Sequence, residues 1–154
     1  MAVRSREKIE TVLDASLKTR EIRSIVLVGG TSEIGLSILR ELNLDADSRV
    51  LIIGRKNPLS NNENVLPIRT QFVSVDFESE ADLAKLKSIL STLTFIDLAI
   101  VASGYLPPEN CDTDSVYVAK ALKINSLGVV FLLSALAEKI INQNKSGHVL
   151  YVST

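Results

Sequence analysis

The sequence is poor in the residues that build disulfide frameworks and metal centres. It contains one cysteine and one histidine in 154 residues. Cys111 alone excludes a disulfide framework, and Cys111 with His148 gives no cluster of zinc ligands, so no metal site is expected. An excess of one charge is also absent, because 17 basic and 18 acidic side chains leave a formal net charge of -1. Phosphate-backbone binding usually requires a basic excess, so nucleic acid is not expected as a partner.

Long hydrophobic runs are missing as well. No unbroken apolar run reaches the roughly 20 residues that span a bilayer. The first 16 residues, MAVRSREKIETVLDAS, contain basic residues but no continuous apolar stretch after them. They therefore do not read as a secretory signal. The sequence predicts a cytoplasmic protein without a transmembrane segment.

What the chain does contain is an alternation of apolar runs and helical patterns. With 46% hydrophobic and 23% charged residues, it has the composition of an ordinary globular domain. The alternation predicts an α/β fold with a parallel sheet covered on both faces. Strands are expected at 25–28, 50–53, 71–75, 95–101 and 149–152, and helices at 3–20, 32–43, 79–91 and 114–142, the last bent near Gly128.

The strongest chemical signal is the segment Val28-Gly29-Gly30-Thr31-Ser32-Glu33-Ile34-Gly35, between the first strand and its helix. Glycine permits a tight turn and a close approach of a phosphate to the backbone. The helix start adds unpaired N–H groups and partial positive charge, and the two hydroxyl residues can add donors. In a doubly wound sheet this first turn binds a dinucleotide. The alternative is a turn with a structural role only.

This segment resembles the Thr-Gly-x-x-x-Gly-x-Gly motif of the short-chain dehydrogenase/reductase family. Val28 stands in place of the threonine, Gly29 and Gly35 match the first and last glycines, and Glu33 stands in place of the middle one. The resemblance implies a Rossmann-like doubly wound sheet in the order three-two-one-four-five over residues 23–154, after an N-terminal helical extension at 1–22. It also implies NAD or NADP as cofactor, hydride transfer to or from a carbonyl or alcohol substrate, and a homo-oligomeric full-length protein.

The departure at Glu33 leaves two interpretations. The carboxylate either points at the expected phosphates and repels them, or turns away as a favourable acid in the first helical turn. The resemblance also assigns cofactor contacts along the motif. These are expected at Gly29, Thr31, Ser32, Glu33, Ile34 and Gly35.

Three further cofactor segments are implied at strand ends. Arg55 would hold a 2′-phosphate, which predicts that NADP is at least tolerated; otherwise it is a solvated loop arginine. Asp76 would bind the adenine amino group with help from the backbone of Phe77; otherwise Asp76 is a loop or capping residue. The third segment, where the family has Asn-Ala-Gly, is Ala102-Ser103-Gly104 and would approach the cofactor ribose.

Catalytic positions follow from the same resemblance. Asn125, an unusual residue within an apolar helix, would belong to the catalytic tetrad and help hold a water of the proton relay; its alternative role is structural. The hydroxyl that binds the substrate carbonyl would be Ser153 or Thr154, because the count differs with the starting point. The Tyr-x-x-x-Lys pair of the family is expected on a later helix, which this sequence does not contain.

These features predict the N-terminal part of an oxidoreductase, ending after the fifth strand and inactive alone. The alternatives are a non-catalytic dinucleotide-binding remnant and a half enzyme completed by a partner. Exposed apolar residues are expected on the long helix at Val129, Phe131 and Leu132. Four segments also resemble the decaprenylphosphoryl-2-keto-pentose reductase branch of the family. They are GGTSEIG, IDLAIVASG, Ile124-Asn125 and LAEK. This second resemblance implies NAD as cofactor and a polyprenylphosphoryl keto-sugar as substrate.

Overall fold

A computed structural model describes residues 21–42, 44–58, 69–106, 108–109 and 114–152. The helix predicted at 3–20 lies outside the described residues. So do Cys111 and both candidates for the substrate-binding hydroxyl, Ser153 and Thr154.

Strands and helices alternate along the described chain, as the hydrophobic pattern predicts. Ser32 and Ser79 begin the first two helices by accepting a backbone N–H from the residue three positions later. Each element predicted within the described residues is found with its ends shifted by up to a few residues. The elements are β1 Ser24–Val28, α1 Glu33–Glu41, β2 Arg49–Gly54, β3 Arg69–Ser74, α2 Glu80–Thr92, β4 Leu98–Val101, α3 Ser115–Leu122, a π-helical segment Lys123–Gly128, α4 Val129–Ile141 and β5 His148–Tyr151.

The five strands form one parallel sheet in the order β3-β2-β1-β4-β5. This confirms the predicted doubly wound, Rossmann-like arrangement. The strand order reverses at β1, because β2 follows on one side and β4 pairs on the other. Carboxyl ends of parallel strands meet at one edge, and the point of reversal is where such sheets bind ligands.

The core consists of two apolar layers, one on each face of the sheet. Alternate residues of β1 belong to different layers, with Ile25 and Leu27 on one face and Val26 and Val28 on the other. The first face is covered by α1, and the second by α2 and α4. Burial on both faces explains why the central strands are almost wholly apolar.

A buried carboxylate closes the opposite, amino edge of the sheet. Asp97 precedes β4, and its Oδ2 accepts the backbone N–H groups of Arg23 and Ser24 at 3.0 and 3.1 Å. Its Oδ1 lies 2.7 Å from Lys145 Nζ. That ammonium also lies 4.1 Å from the ring centroid of Phe95. These contacts join the amino-terminal ends of β1 and β4 to the segment before β5.

The predicted long helix is continuous but changes type in the middle. The bend was expected near Gly128, and the structure places the last residue of the π-helical segment there. The expectation of exposed apolar residues was wrong at two positions, because Val129 and Leu132 face the core. The exposed apolar residues lie instead at Leu122, Leu127 and Val130, among others. Phe131 is partly buried.

Ser115–Ile141 is also long and apolar enough to cross a membrane. One such helix is weak evidence for a membrane span, because core helices of soluble proteins pass the same test. Here the inner side of the helix packs on the sheet through Ile124, Leu132 and Leu136. About a third of its most apolar window is buried.

Candidate functional site

The candidate site lies at the carboxyl edge of the sheet, where hydrogen bonds continue past the strand ends. The N–H of Gly29 donates to the Ile53 carbonyl at 2.9 Å, and that of Ala102 to the Val28 carbonyl at 2.8 Å. The N–H of Val152 donates to the Val101 carbonyl at 2.9 Å. These bonds bring the loops that carry the predicted cofactor residues to one edge.

Gly29 is the residue of this edge that most requires glycine. Its φ of +96° lies in a region that L side chains rarely adopt. A Cβ atom there would lie 2.6 Å from the Ala102 carbonyl oxygen and 2.8 Å from the Ser103 nitrogen. The turn after β1 therefore packs backbone against backbone on the loop after β4. Gly35 is also confined, because its Cβ would lie 2.9 Å from Leu27 Cδ1.

The start of α1 presents donors to this edge. Ser32 caps the helix by accepting the Gly35 N–H at Oγ, at 3.3 Å. The first amides of a helix have no acceptor within the helix, and the cap satisfies one of them. Glu33 and Ile34 are the first two residues of the helix, so their amides belong to this group. The side chains of Thr31, Glu33 and Ile34 are exposed there.

The loop after β3 is held by its own carboxylates. Asp76 Oδ1 accepts the Glu78 N–H at 3.0 Å, and the Asp76 N–H donates to Asp82 Oδ2 at 2.9 Å. This second bond, with help from Lys85, lowers the pKa of Asp82 below its ordinary value. Phe77 is buried in the core, so its side chain is not available to a ligand.

Asn125 fixes the loop after β4. Its Oδ1 accepts the Tyr105 N–H at 2.7 Å, and its Nδ2 donates to the Tyr105 carbonyl at 2.8 Å. Both polar ends of the amide thus bind one backbone unit, directly after Ala102-Ser103-Gly104. The π-helical segment, which carries Asn125, is of a kind often found at functional sites.

Three residues that sequence reasoning did not single out as site residues connect these loops. Lys120 Nζ of α3 lies 2.8 Å from Glu78 Oε2 and 5.1 Å from the ring centroid of Tyr105. The Glu78 hydrogen bond raises the pKa of Lys120, and the positive charge of Arg55 acts in the opposite direction. No local sequence signal could reveal this cluster, because its members come from separate strand ends and a helix.

The structure thus brings together the predicted residues that it describes. The glycine turn, Arg55, the Asp76 loop, the Ala102 loop and Asn125 lie at one edge or on the helix against it. Among the described residues, no group of three or more His, Cys, Asp or Glu side chains is placed to hold a metal ion.

No family model matches the sequence, and no curated protein does. Solved structures do match in fold. A short-chain dehydrogenase family protein from Francisella tularensis has a TM-score of 0.67 at 15% identity, over 87% of this chain and 52% of that one. A serine dehydrogenase from Escherichia coli has a TM-score of 0.64 at 20% identity, over 85% and 61%.

A short-chain dehydrogenase/reductase from Saccharomyces cerevisiae has a TM-score of 0.65 at 23% identity, over 86% of this chain and 53% of that one. At these identities the likeness establishes the fold. The chain spans about half to three-fifths of the length of these three structures.

Proposed function

We propose that this chain is the dinucleotide-binding part of an NAD(P)-dependent oxidoreductase of the short-chain dehydrogenase/reductase type. The observation that carries the proposal is the turn from Gly29 to Ser32. It lies where the strand order reverses and leads into α1, and the first amides of a helix have no acceptor within the helix. This is the arrangement that binds a pyrophosphate in doubly wound sheets. The fold shared with solved short-chain dehydrogenases supports it.

The residues present fit such a cofactor by their donor chemistry. The amides of Glu33 and Ile34 suit the pyrophosphate, and Arg55 suits a phosphate on the adenosine ribose. Asp76 keeps Oδ2 for the adenine amino group while Oδ1 holds its own loop. Glu33 lies in the first turn of α1, where an acid is favourable, and the proposal adopts this second interpretation of the residue.

The chemistry that the bound cofactor supplies is hydride transfer. Asn125 would act as a positioning residue, because its amide holds the Tyr105 backbone beside the Ala102 loop. A hydroxyl of Ser153 or Thr154 would donate a hydrogen bond to the substrate oxygen. The sequence contains no Tyr-x-x-x-Lys. We therefore expect this chain to bind the dinucleotide without turnover. A non-catalytic remnant, or a half enzyme that lacks its partner, would behave in the same way.

A titration of the purified chain with NADP and NAD tests the proposal. We expect saturable binding of NADP, and we expect Arg55→Gln to weaken it about tenfold while changing NAD binding little. Arg69→Gln is the matched control, because it removes the same charge at the start of β3, on the opposite edge of the sheet.

Two results would count against this reading. Absence of binding by either nucleotide at millimolar concentration contradicts the proposed function. Binding of NAD that is equal to or tighter than that of NADP contradicts only the phosphate role of Arg55 and leaves the proposed function standing. Such a result agrees with the keto-sugar reductase branch. A polyprenylphosphoryl keto-sugar as substrate, a homo-oligomeric full-length protein and a cytoplasmic location stay predictions.

A further inference from the structure

Three charged or aromatic side chains converge beside the proposed adenine position, and Arg55 follows a strand that ends at the same edge of the sheet. Arg55 follows β2, Glu78 follows β3 and Tyr105 follows β4, so all three lie at the carboxyl edge. Lys120 reaches this edge from α3 and contacts both Glu78 and Tyr105. Since Asp76 Oδ1 holds the Glu78 N–H, the ion pair is anchored in the loop proposed to bind adenine.

This group contains two positive charges and one negative charge, and its ion pair contributes little to the stability of the fold. The side chains of Glu78 and Lys120 are each about a third exposed, and exposed ion pairs contribute little to stability. Arg55 adds a second positive charge at the same edge, directly after β2. An anion placed among them would meet two cations and one carboxylate.

We propose that Glu78 and Lys120 form a charge pair that sets the affinity of this cleft for the phosphate groups of an adenylate. In this proposal Lys120 is a second cation at the edge where Arg55 lies, and Glu78, 2.8 Å from its Nζ, limits the effect of its charge. The inference rests on the proposed function, because it takes the ligand to be an adenylate. It goes beyond that function by naming a pair that selects for or against the 2′-phosphate.

Two nucleotides without a nicotinamide serve as probes. They are adenosine 2′,5′-bisphosphate, which carries the 2′-phosphate, and adenosine 5′-monophosphate, which lacks it. Calorimetric titration of the wild-type chain with the bisphosphate comes first. If the wild type binds neither probe, the proposed function and this inference both fail. If it binds them, the variants test the pair alone.

The variants are Glu78→Gln, Lys120→Met and the two combined. A charge pair predicts opposite effects: bisphosphate affinity rises about threefold in Glu78→Gln and falls about threefold in Lys120→Met. The double variant returns close to the wild type because its net charge is restored. Changes for the monophosphate are smaller. A pair that only braces the loops would instead weaken binding in all three variants, and that result overturns the inference.

The salt dependence of binding also distinguishes a charge pair from a pair that only braces the loops. Between about 50 mM and about 500 mM salt, the differences caused by charge shrink, because screening shortens the reach of exposed charges. Differences caused by a misplaced loop persist. Lys87→Met and Glu138→Gln are matched controls, since this exposed pair joins α2 to α4 with Nζ and Oε2 2.9 Å apart. Neither control is expected to change the affinity for either probe, and equal effects in test and control variants refute the proposal.

Discussion

At the scale of single residues, Gly29 carries the tightest requirement of the site. The sequence predicts its importance from its place in the turn, since glycine alone adopts such a backbone without cost. Its second constraint, the contact with Ala102 and Ser103, joins residues more than 70 positions apart. No local pattern could reveal that contact, because it depends on β1 and β4 being neighbours.

Replacement of Gly29 by alanine is expected to lower the free energy of unfolding by about 2–4 kcal/mol. The new Cβ forces an unfavourable φ and meets the Ala102 backbone, which cannot move without shifting β4. Urea denaturation followed by circular dichroism measures the loss. Gly104→Ala is the control, with an expected change below about 0.5 kcal/mol, because its Cβ would lie 3.8 Å from Asn125 Oδ1. Equal losses in both variants would contradict the explanation.

At the scale of elements, regular strands and helices follow from hydrophobic periodicity, but the π-helical segment does not. It spans only Lys123–Gly128, which is too short to alter the apolar pattern of the helix around it. Asn125 attracts attention in the sequence because asparagine is a mediocre helix residue. Its partner, the Tyr105 backbone, belongs to an irregular loop whose position no periodicity predicts.

The two bonds of Asn125 predict a local effect in Asn125→Ala. Loss of both should speed hydrogen exchange of the Tyr105 amide about tenfold and lower stability by only about 1 kcal/mol, because the site is exposed. Exchange mass spectrometry over the loop after β4 measures the first effect. Ser126→Ala, at the next position of the same segment, should leave exchange there unchanged. Unaltered exchange in Asn125→Ala would show that the loop is held by other contacts.

At the scale of the whole molecule, the alternation of strands and helices predicts a parallel sheet covered on both faces. The order of its strands was predicted from the resemblance of the glycine turn to the short-chain dehydrogenase/reductase motif, and the structure has that order. The ion pair at the amino edge of the sheet could not be predicted. Asp97 and Lys145 are 48 residues apart, and neither stands in a motif whose spacing indicates an ion pair.

Lys145→Met tests how far the ion pair between Asp97 and Lys145 stabilises the sheet. The variant leaves the buried Asp97 carboxylate with its two backbone donors but no cation, and we expect a loss of about 2 kcal/mol. Combining it with Asp97→Asn should recover part of the loss, because the amide oxygen still accepts those N–H groups without a charge. Thermal or urea unfolding gives both values. A double variant less stable than the sum of the single changes would contradict the ion-pair explanation.

The central position of β1 has a consequence for synthesis on the ribosome. β1 is made first, and β2 can pair with one of its sides soon afterwards. Its other side waits for β4, since Ile25 pairs with Leu98, about 70 residues later. At about 5–20 residues per second, that side remains without its final neighbour for roughly 4–15 seconds. During this interval one edge of an almost wholly apolar strand is open to chaperones and to other chains.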